Sequence, residues 1–390
     1  MILPINSQSG SSILPADSEP VAAASSSASK LREARFEDYT QIADVQRRNG
    51  LAPKPQEQWN HIWKENPAQQ KANNYPIGWV AETPDGRIVG YMGRVPSFFY
   101  LQGREVLVVS AHALAIDPPH RQHAGFIVKR LISPSAGDMA ITTSANPNSA
   151  RLMDPLHCAK APSGNWSQSV YWVTNYTGFM ASAFGRKGWP KFLAYPASAV
   201  LSLKDRITDA GLARHQQASS LELCTAFDER FDVFWEELKR VYSHRFLHDR
   251  SRRTLQWHFK FALLENNVWI LTTGTRSRIS AYAIFYRQDN PDIGLKRVRL
   301  IDFQTLDDNY EALAPMLSWA HQRCQQEGIH MLEAYGFRPE KERVIQSLAP
   351  HRRQLPSWFY YYKTRDQGLI AALINPDIWD PCHYDGDSSL

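Results

Sequence analysis

From Lys30 onward apolar residues recur with two alternating periods, and the alternation lays out the elements. "KLREARFEDYTQIADVQRRNG" predicts a short strand and then an amphipathic helix, with Phe36, Tyr39, Ile42 and Val45 at three-residue spacing on its apolar face. Gly50 is its stop signal. "QEQWNHIWKENP" predicts a second helix ending before Pro67, with Trp59, Ile62 and Trp63 on one side. "IGWVAETPDGRIVGYMGRVPSFFY" predicts two strands around Asp85-Gly86, a hairpin signal. "REVLVVSAHALAI" is apolar almost throughout, as a central strand should be. A helix near 124–134, a strand "DMAITTSA", a helix starting near Asn148 and a strand "SVYWVTN" follow.

The second half passes through the same order. "LELCTAF" reads as a strand, and the next helix carries Phe231, Phe234, Leu238 and Val241 as one stripe. "RRTLQWHFKFALL" is again a helix with a Trp on its core face, followed by the hairpin "NVWILTTGTRSRISAYAIFYRQ" and the strand "LKRVRLIDFQTL". A long helix over "NYEALAPMLSWAHQRCQQEG", a strand "IHMLEAYGF", a helix "EKERVIQSLAP" and a strand "SWFYYYKT" complete the pass. Matching element order predicts a tandem duplication of an α/β (α+β) unit, two mixed sheets flanked by helices. The expected domains are 29–195 and 218–375, joined by a linker over 196–217. A low-complexity tail over 1–28 and an exposed tail over 376–390 complete the plan.

Composition narrows the class. The 390 residues are 43% apolar and include 12 Trp, 16 Tyr and 17 Phe, enough for two cores. Residues 1–28, rich in Ser, Ala and Pro, lack the apolar period that repays ordering entropy. They also lack the charged start and apolar run of a secretory signal. No stretch reaches the roughly 18 to 20 apolar residues that span a bilayer, so no membrane insertion is expected. Cys158, Cys224, Cys324 and Cys382 are scattered without a CxxC pair. That pattern predicts no metal, no disulfide framework, and a cytoplasmic location. The net charge of +5 is modest and dispersed, so no DNA surface is expected.

One junction stands out. In "AIDPPHRQHAGFIVKRLI" the fourth strand passes through Arg121, Gln122, His123, Ala124 and Gly125 into a helix. Main-chain N–H groups at a helix start attract anions, and small residues let a diphosphate approach. The loop Gln122-His123-Ala124-Gly125-Phe126-Ile127, after that strand and within this element order, resembles the signature of the GNAT acyltransferase superfamily. In that signature a Gln or Arg is followed after two residues by Gly, and two residues later by Gly or Ala. Ile127 stands at the second small position. A second family feature, Asn and a small residue opening the next helix, is matched by Asn148 and Ser149. Met153 occupies the place of the family's Tyr, which protonates the leaving thiolate, and His157-Cys158 replaces Gly-Phe.

The resemblance implies two tandem GNAT-like domains and an acyl-CoA co-substrate, acetyl-CoA or a longer acyl-CoA. Its contacts would run from Ala115 and Ile116 through Arg121, Gln122, His123, Ala124, Gly125, Phe126 and Ile127 to Asn148 and Ser149. The activity implied is N-acyl transfer by direct attack of an amine on the thioester, the acceptor being a small molecule, an amino sugar or a peptide-like amine.

Such transfer needs a base for the amine and donors for the thioester oxygen. His112 lies on the fourth strand, and imidazole titrates near neutrality, which makes it the candidate base. Asp302, a carboxylate interrupting the apolar strand "VRLIDFQTL", is a candidate amine ligand or base, and Tyr171 a candidate acid. The acidic "QTLDDNYEAL" would repel a diphosphate, so the second copy is expected to shape the acceptor pocket. Two other readings remain open: an aminoacyl-tRNA-dependent transferase of the Fem type, and a catalytically degenerate binding or scaffold protein.

Overall fold

The computed structural model describes residues 29–72, 75–133, 137–208, 212, 221–356, 358 and 360–390. The expected tail over 1–28 and most of the later part of the linker over 196–217 lie outside the described residues. The first half contributes β1 (Lys30–Glu33), β2 (Gly78–Glu82), β3 (Ile88–Leu101), β4 (Arg104–Ile116), β5 (Met139–Thr142), β6 (Ala159–Lys160) and β7 (Gln168–Val173). The second contributes β8 (Glu222–Cys224), β9 (Leu247–His248), β10 (Val268–Thr275), β11 (Arg278–Arg287), β12 (Arg297–Thr305), β13 (Met331–Ala334), β14 (His351–Gln354) and β15 (Tyr361–Thr364). The helices are α1 (Tyr39–Arg48), α2 (Gln56–Lys64), α3 (Pro67–Lys71), α4 (Ala124–Leu131), α5 (Pro147–Met153), α6 (Tyr176–Arg186) and α7 (Ala194–Thr208). After them come α8 (Glu229–Val241), α9 (Arg252–Leu264), α10 (Leu313–Gln326), α11 (Pro339–Leu348) and α12 (Gln367–Leu373).

The strands form two mixed sheets, in the orders β1-β2-β3-β4-β5-β15-β6, with β9 attached to β3, and β14-β7-β13-β12-β11-β10-β8. The architecture is the expected pair of helix-flanked sheets, but strands cross between the halves: besides β9 on β3, two strands are exchanged. β7, from the first half, pairs with β13 and β14, while β15, from the second, pairs with β5 and β6. A strand's own pattern states which of its faces is apolar, and leaves the choice of neighbour to long-range pairing.

Local chemistry places the helix starts. Asn146, Asn175 and Asp228 each accept a main-chain N–H of the turn they cap. The first sheet carries a core on each face. Ile42, Val45, Trp59 and Trp63 of α1 and α2 pack with Val80, Tyr91 and Ala115 on one side. On the other, Ile127, Val128 and Leu131 of α4 pack with Val89, Met92 and Val109. In α8 the buried stripe is Phe231, Phe234, Trp235 and Leu238; Val241, expected on it, is exposed at the last turn.

The exposed tail expected over 376–390 is buried or half-buried from Ile378 onward. Trp379, Cys382 and Tyr384 are at most 1% exposed. Residues 383–385 pack on β12 and residues 387–389 on β4, so the segment joins the two sheets. Its polar composition suggested solvent, but its carboxylates find partners: Asp380 accepts from Lys341 Nζ at 2.7 Å, with both side chains buried.

Candidate functional site

β4 and β5 begin as neighbours and then part. They pair in parallel only where Val108–Ser110 meets Met139–Ile141, yet β4 continues to Ile116. The β3–β4 register slips between Tyr91 and Gly93, and Ala113 takes the left-handed conformation (φ 52°). Such a bulge bends the strand that carries it. Among the described residues no strand pairs with the β5 side of β4 beyond Ser110. The result is a fork whose one arm is Ala111–Ile116 and whose other is the chain leaving β5.

The upper rim of the fork is the loop singled out by the sequence. Asp117 is tied down by Arg48, whose Nε and Nη2 donate at 2.9–3.2 Å, and by Asn49 Nδ2 at 3.2 Å. Residues 118–123 then make a tight turn into α4. Arg121 and Gln122 are exposed, while His123, Ala124 and Gly125 are half-buried. A side chain at Gly125 would meet nothing within 4 Å, so space is open above the first turn. Phe126 is 62% exposed. Ala115, Ile116 and Ile127 are buried in the sheet–helix cores, which leaves only their main chains for any ligand. The lower rim differs. The N–H groups of Asn148 and Ser149 donate to Asn146 Oδ1 at 3.0 and 2.9 Å, so the start of α5 caps itself.

His112 lies in the fork, 8% exposed, with its ring edge-on to Trp63. Its Nδ1 is 3.5 Å from Asp387 Oδ2, and Asp387 Oδ1 accepts from Ser144 Oγ at 2.7 Å. One carboxylate from the end of the chain therefore spans β4 and the residues after β5. Gly386 permits this, because a Cβ there would fall 2.1 Å from Thr143 Oγ1. Ser389 Oγ lies 2.8 Å from His258 Nε2, and burial pushes that imidazole down to about 3, which keeps it neutral. Burial also lowers the nearby Lys54 ammonium, against the pull of Glu265 and Asp387. Reading the sequence missed Asp387, since nothing local to "YDGDSSL" marks it as a partner of β4.

The structure does not bring Asp302 or Tyr171 to this place. Both stand on the second sheet. Asp302 is fully buried and accepts from Arg250 Nε and Nη2 at 2.8 and 3.1 Å, Tyr282 Oη at 2.7 Å and Gln304 Nε2 at 3.1 Å. Burial alone would raise its carboxyl, but Arg250 holds it well below the usual range. A carboxylate so fully occupied has no lone pair to offer an amine. Tyr171 stacks between Phe179 and His351, and burial raises its phenol. Cys158, which with His157 stands in place of Gly-Phe, has its thiol pushed up to about 11 by burial. A cavity of about 290 Å³ lined by Asp138, Lys363 and Arg365 lies at the other end of β5, away from the fork. Among the described residues no group of three or more His, Cys, Asp or Glu is placed to hold a metal ion.

The fold is similar to that of solved acyltransferases. Saccharomyces cerevisiae N-myristoyltransferase with bound myristoyl-CoA superposes with a TM-score of 0.57 at 12% identity, over 89% of this chain and 81% of that one. A GCN5-related N-acetyltransferase from Anabaena variabilis gives 0.50 at 14% identity, over 86% and 73%. One from Kribbella flavida gives 0.50 at 10% identity, over 87% and 72%. The fold is the tandem GNAT fold. No protein-family model and no curated protein sequence matches the chain, so the GNAT likeness lives in the backbone. Within the GNAT fold the quoted loop takes the expected place, between the fourth strand and the next helix.

Proposed function

We propose that the protein is an acyl-CoA-dependent N-acyltransferase acting on an amine of a small molecule, an amino sugar or a peptide-like acceptor. The observation that carries this reading is the β4–β5 fork, with His112 and Asp387 inside it and an open helix start at its rim. The acyl-CoA, acetyl-CoA or a longer homologue, would place its diphosphate in the open space over the first turn of α4, with Arg121 and Gln122 beside it. N-myristoyltransferase, which shares the fold, was solved with myristoyl-CoA bound.

In this scheme the thioester lies along β4, where main-chain N–H groups freed by the parting of β5 polarise its carbonyl. The acceptor amine attacks the carbonyl carbon and a C–N bond forms. His112 takes the proton the amine loses, and Asp387 orients the imidazole. The tetrahedral intermediate collapses, the C–S bond breaks, and coenzyme A departs as a thiolate that is protonated on leaving. Asp302 and Tyr171 take no part; they support the second lobe.

The deciding experiment is calorimetry with acetyl-CoA and longer acyl-CoAs on the wild type and on Gly125→Glu. Binding by the wild type and its loss in the variant, with an unchanged melting temperature, support the reading. The added carboxylate would stand in the open space above α4, where it repels a diphosphate. Silence of the wild type with every thioester overturns it and favours a tRNA-borne donor or a binding role.

A further inference from the structure

The helix α7 is apolar on both faces. Its inner face is accounted for: Ala194, Ala197 and Leu201 pack with Phe179, Met180 and Phe184. It is moored by Asp205, which accepts from Tyr176 Oη at 3.0 Å and lies 2.8 Å from His351 Nε2. The outer face follows the same helical period. Phe192 in the preceding turn, then Tyr195, Pro196, Ala199, Val200 and Leu203 are all exposed. Among the large side chains of this face, Phe192 and Tyr195 are 68% exposed, Val200 71% and Leu203 62%. Trp189, 51% exposed, extends the patch. An exposed apolar patch of this kind marks an interaction site.

Charge selects the occupant. From Tyr176 to Lys204, the stretch that holds α6 and most of α7, the sequence has no carboxylate side chain and carries Arg186, Lys187, Lys191 and Lys204. Lys187, two residues before Trp189, is exposed and forms no ion pair among the described residues, and its Nζ sits 5.0 Å over the Trp189 ring. A symmetric contact with a second copy would set these cations against their own equivalents. Trp, Tyr and Phe on a stretch with basic and no acidic residues match the boundary between anionic headgroups and acyl chains, where amphipathic rings settle.

We propose that Trp189, Phe192, Tyr195, Val200 and Leu203 form a docking surface for an anionic lipid bilayer, with α7 lying in the interfacial plane. α7 is too short to cross a bilayer, and no described helix is long and apolar enough to do so. The surface is separate from the β4–β5 fork, so it stands whether or not the proposed transfer does.

The test is co-sedimentation of the full-length protein with vesicles of phosphatidylcholine alone and of phosphatidylcholine with phosphatidylserine. Wild type is expected to pellet with the phosphatidylserine vesicles, and less so as salt rises. Lys187→Ala should weaken binding about fivefold. Phe192→Glu/Val200→Glu should abolish it while circular dichroism and the melting temperature hold, because both side chains face solvent. Absence of binding to either vesicle overturns the proposal, as does equal binding to both. A dimer in sedimentation velocity that Val200→Glu dissociates would overturn it too, and assign the face to a second copy.

Discussion

At the scale of single residues, buried carboxylates pull the pH dependence of stability in opposite directions. Asp302, held low by Arg250, stabilises the fold above the ordinary carboxylate range near 4, and that contribution is lost as pH falls below it. Asp385 is the reverse case. Burial pushes its carboxyl up to about 7, with Asp302 and Asp380 adding to the rise and Arg250 opposing it. The folded chain keeps this proton where the unfolded chain has released it. Its contribution is therefore whole below pH 4 and falls away between pH 4 and about 7. Asp385→Asn should flatten part of the decline in urea-unfolding free energy across that window; an unchanged slope would refute the assignment. Glu342, also pushed up to about 7 by burial, acts in the same direction.

His112 belongs to the same scale. If it accepts the amine's proton, His112→Gln should lower kcat by roughly 10² to 10⁴ and leave KM for the acyl-CoA near its wild-type value. The variant should also lose the acid-side fall of the pH–rate profile. A profile that keeps that limb would show that another group is the base. The sequence placed His112 on the correct strand, but its value as a candidate comes from Asp387, more than two hundred residues away.

At the scale of elements, the site depends on how closely the segment after Tyr384 can approach β5. Gly386 against Thr143 is the contact that sets the distance. Gly386→Ala should cost about 1–3 kcal/mol by overpacking and lower kcat more than the stability loss explains. Thr143→Gly in the same chain should restore both, measured by thermal unfolding and steady-state rates. An alanine at 386 tolerated with full activity would place Asp387 outside the mechanism. The rims of the fork teach a related lesson. Both α4 and α5 begin at short polar turns of similar composition, and the sequence assigned ligand contacts to both. Only coordinates distinguish them, because Asn146 accepts the α5 amides while the loop before α4 brings no side-chain cap.

At the scale of the whole molecule, the exchange of β7 and β15 makes the sheets mutually dependent. A first-half fragment ending at Thr208 would leave β5 and β6 without the strand between them. A second-half fragment starting at Leu221 would lose β7, which joins β13 to β14. Each fragment expressed alone should be insoluble or unfolded, and the two expressed together should assemble. The intact chain should unfold in one cooperative transition by calorimetry. Two well-separated transitions would mean that the lobes hold together independently of the exchanged strands.

Periodicity and caps are written within a few residues, so the chain alone determined most of its strands and helices, their order, and the turn that opens α4; α3, α6 and α12, the short strands β6, β9 and β14, and the helix α7 in place of a linker came from the structure. The chain also determined the duplication of element order, which is what pointed to a tandem GNAT fold. Which sheet receives β7 or β15 is a matter of long-range pairing, and no local pattern encodes it. Burial of 378–390 likewise rests on remote partners such as Lys341 and Ser144, which allow carboxylates to leave water. The tertiary structure alone therefore decided that Asp387 meets His112, because that proximity arises only after both sheets have closed around the end of the chain.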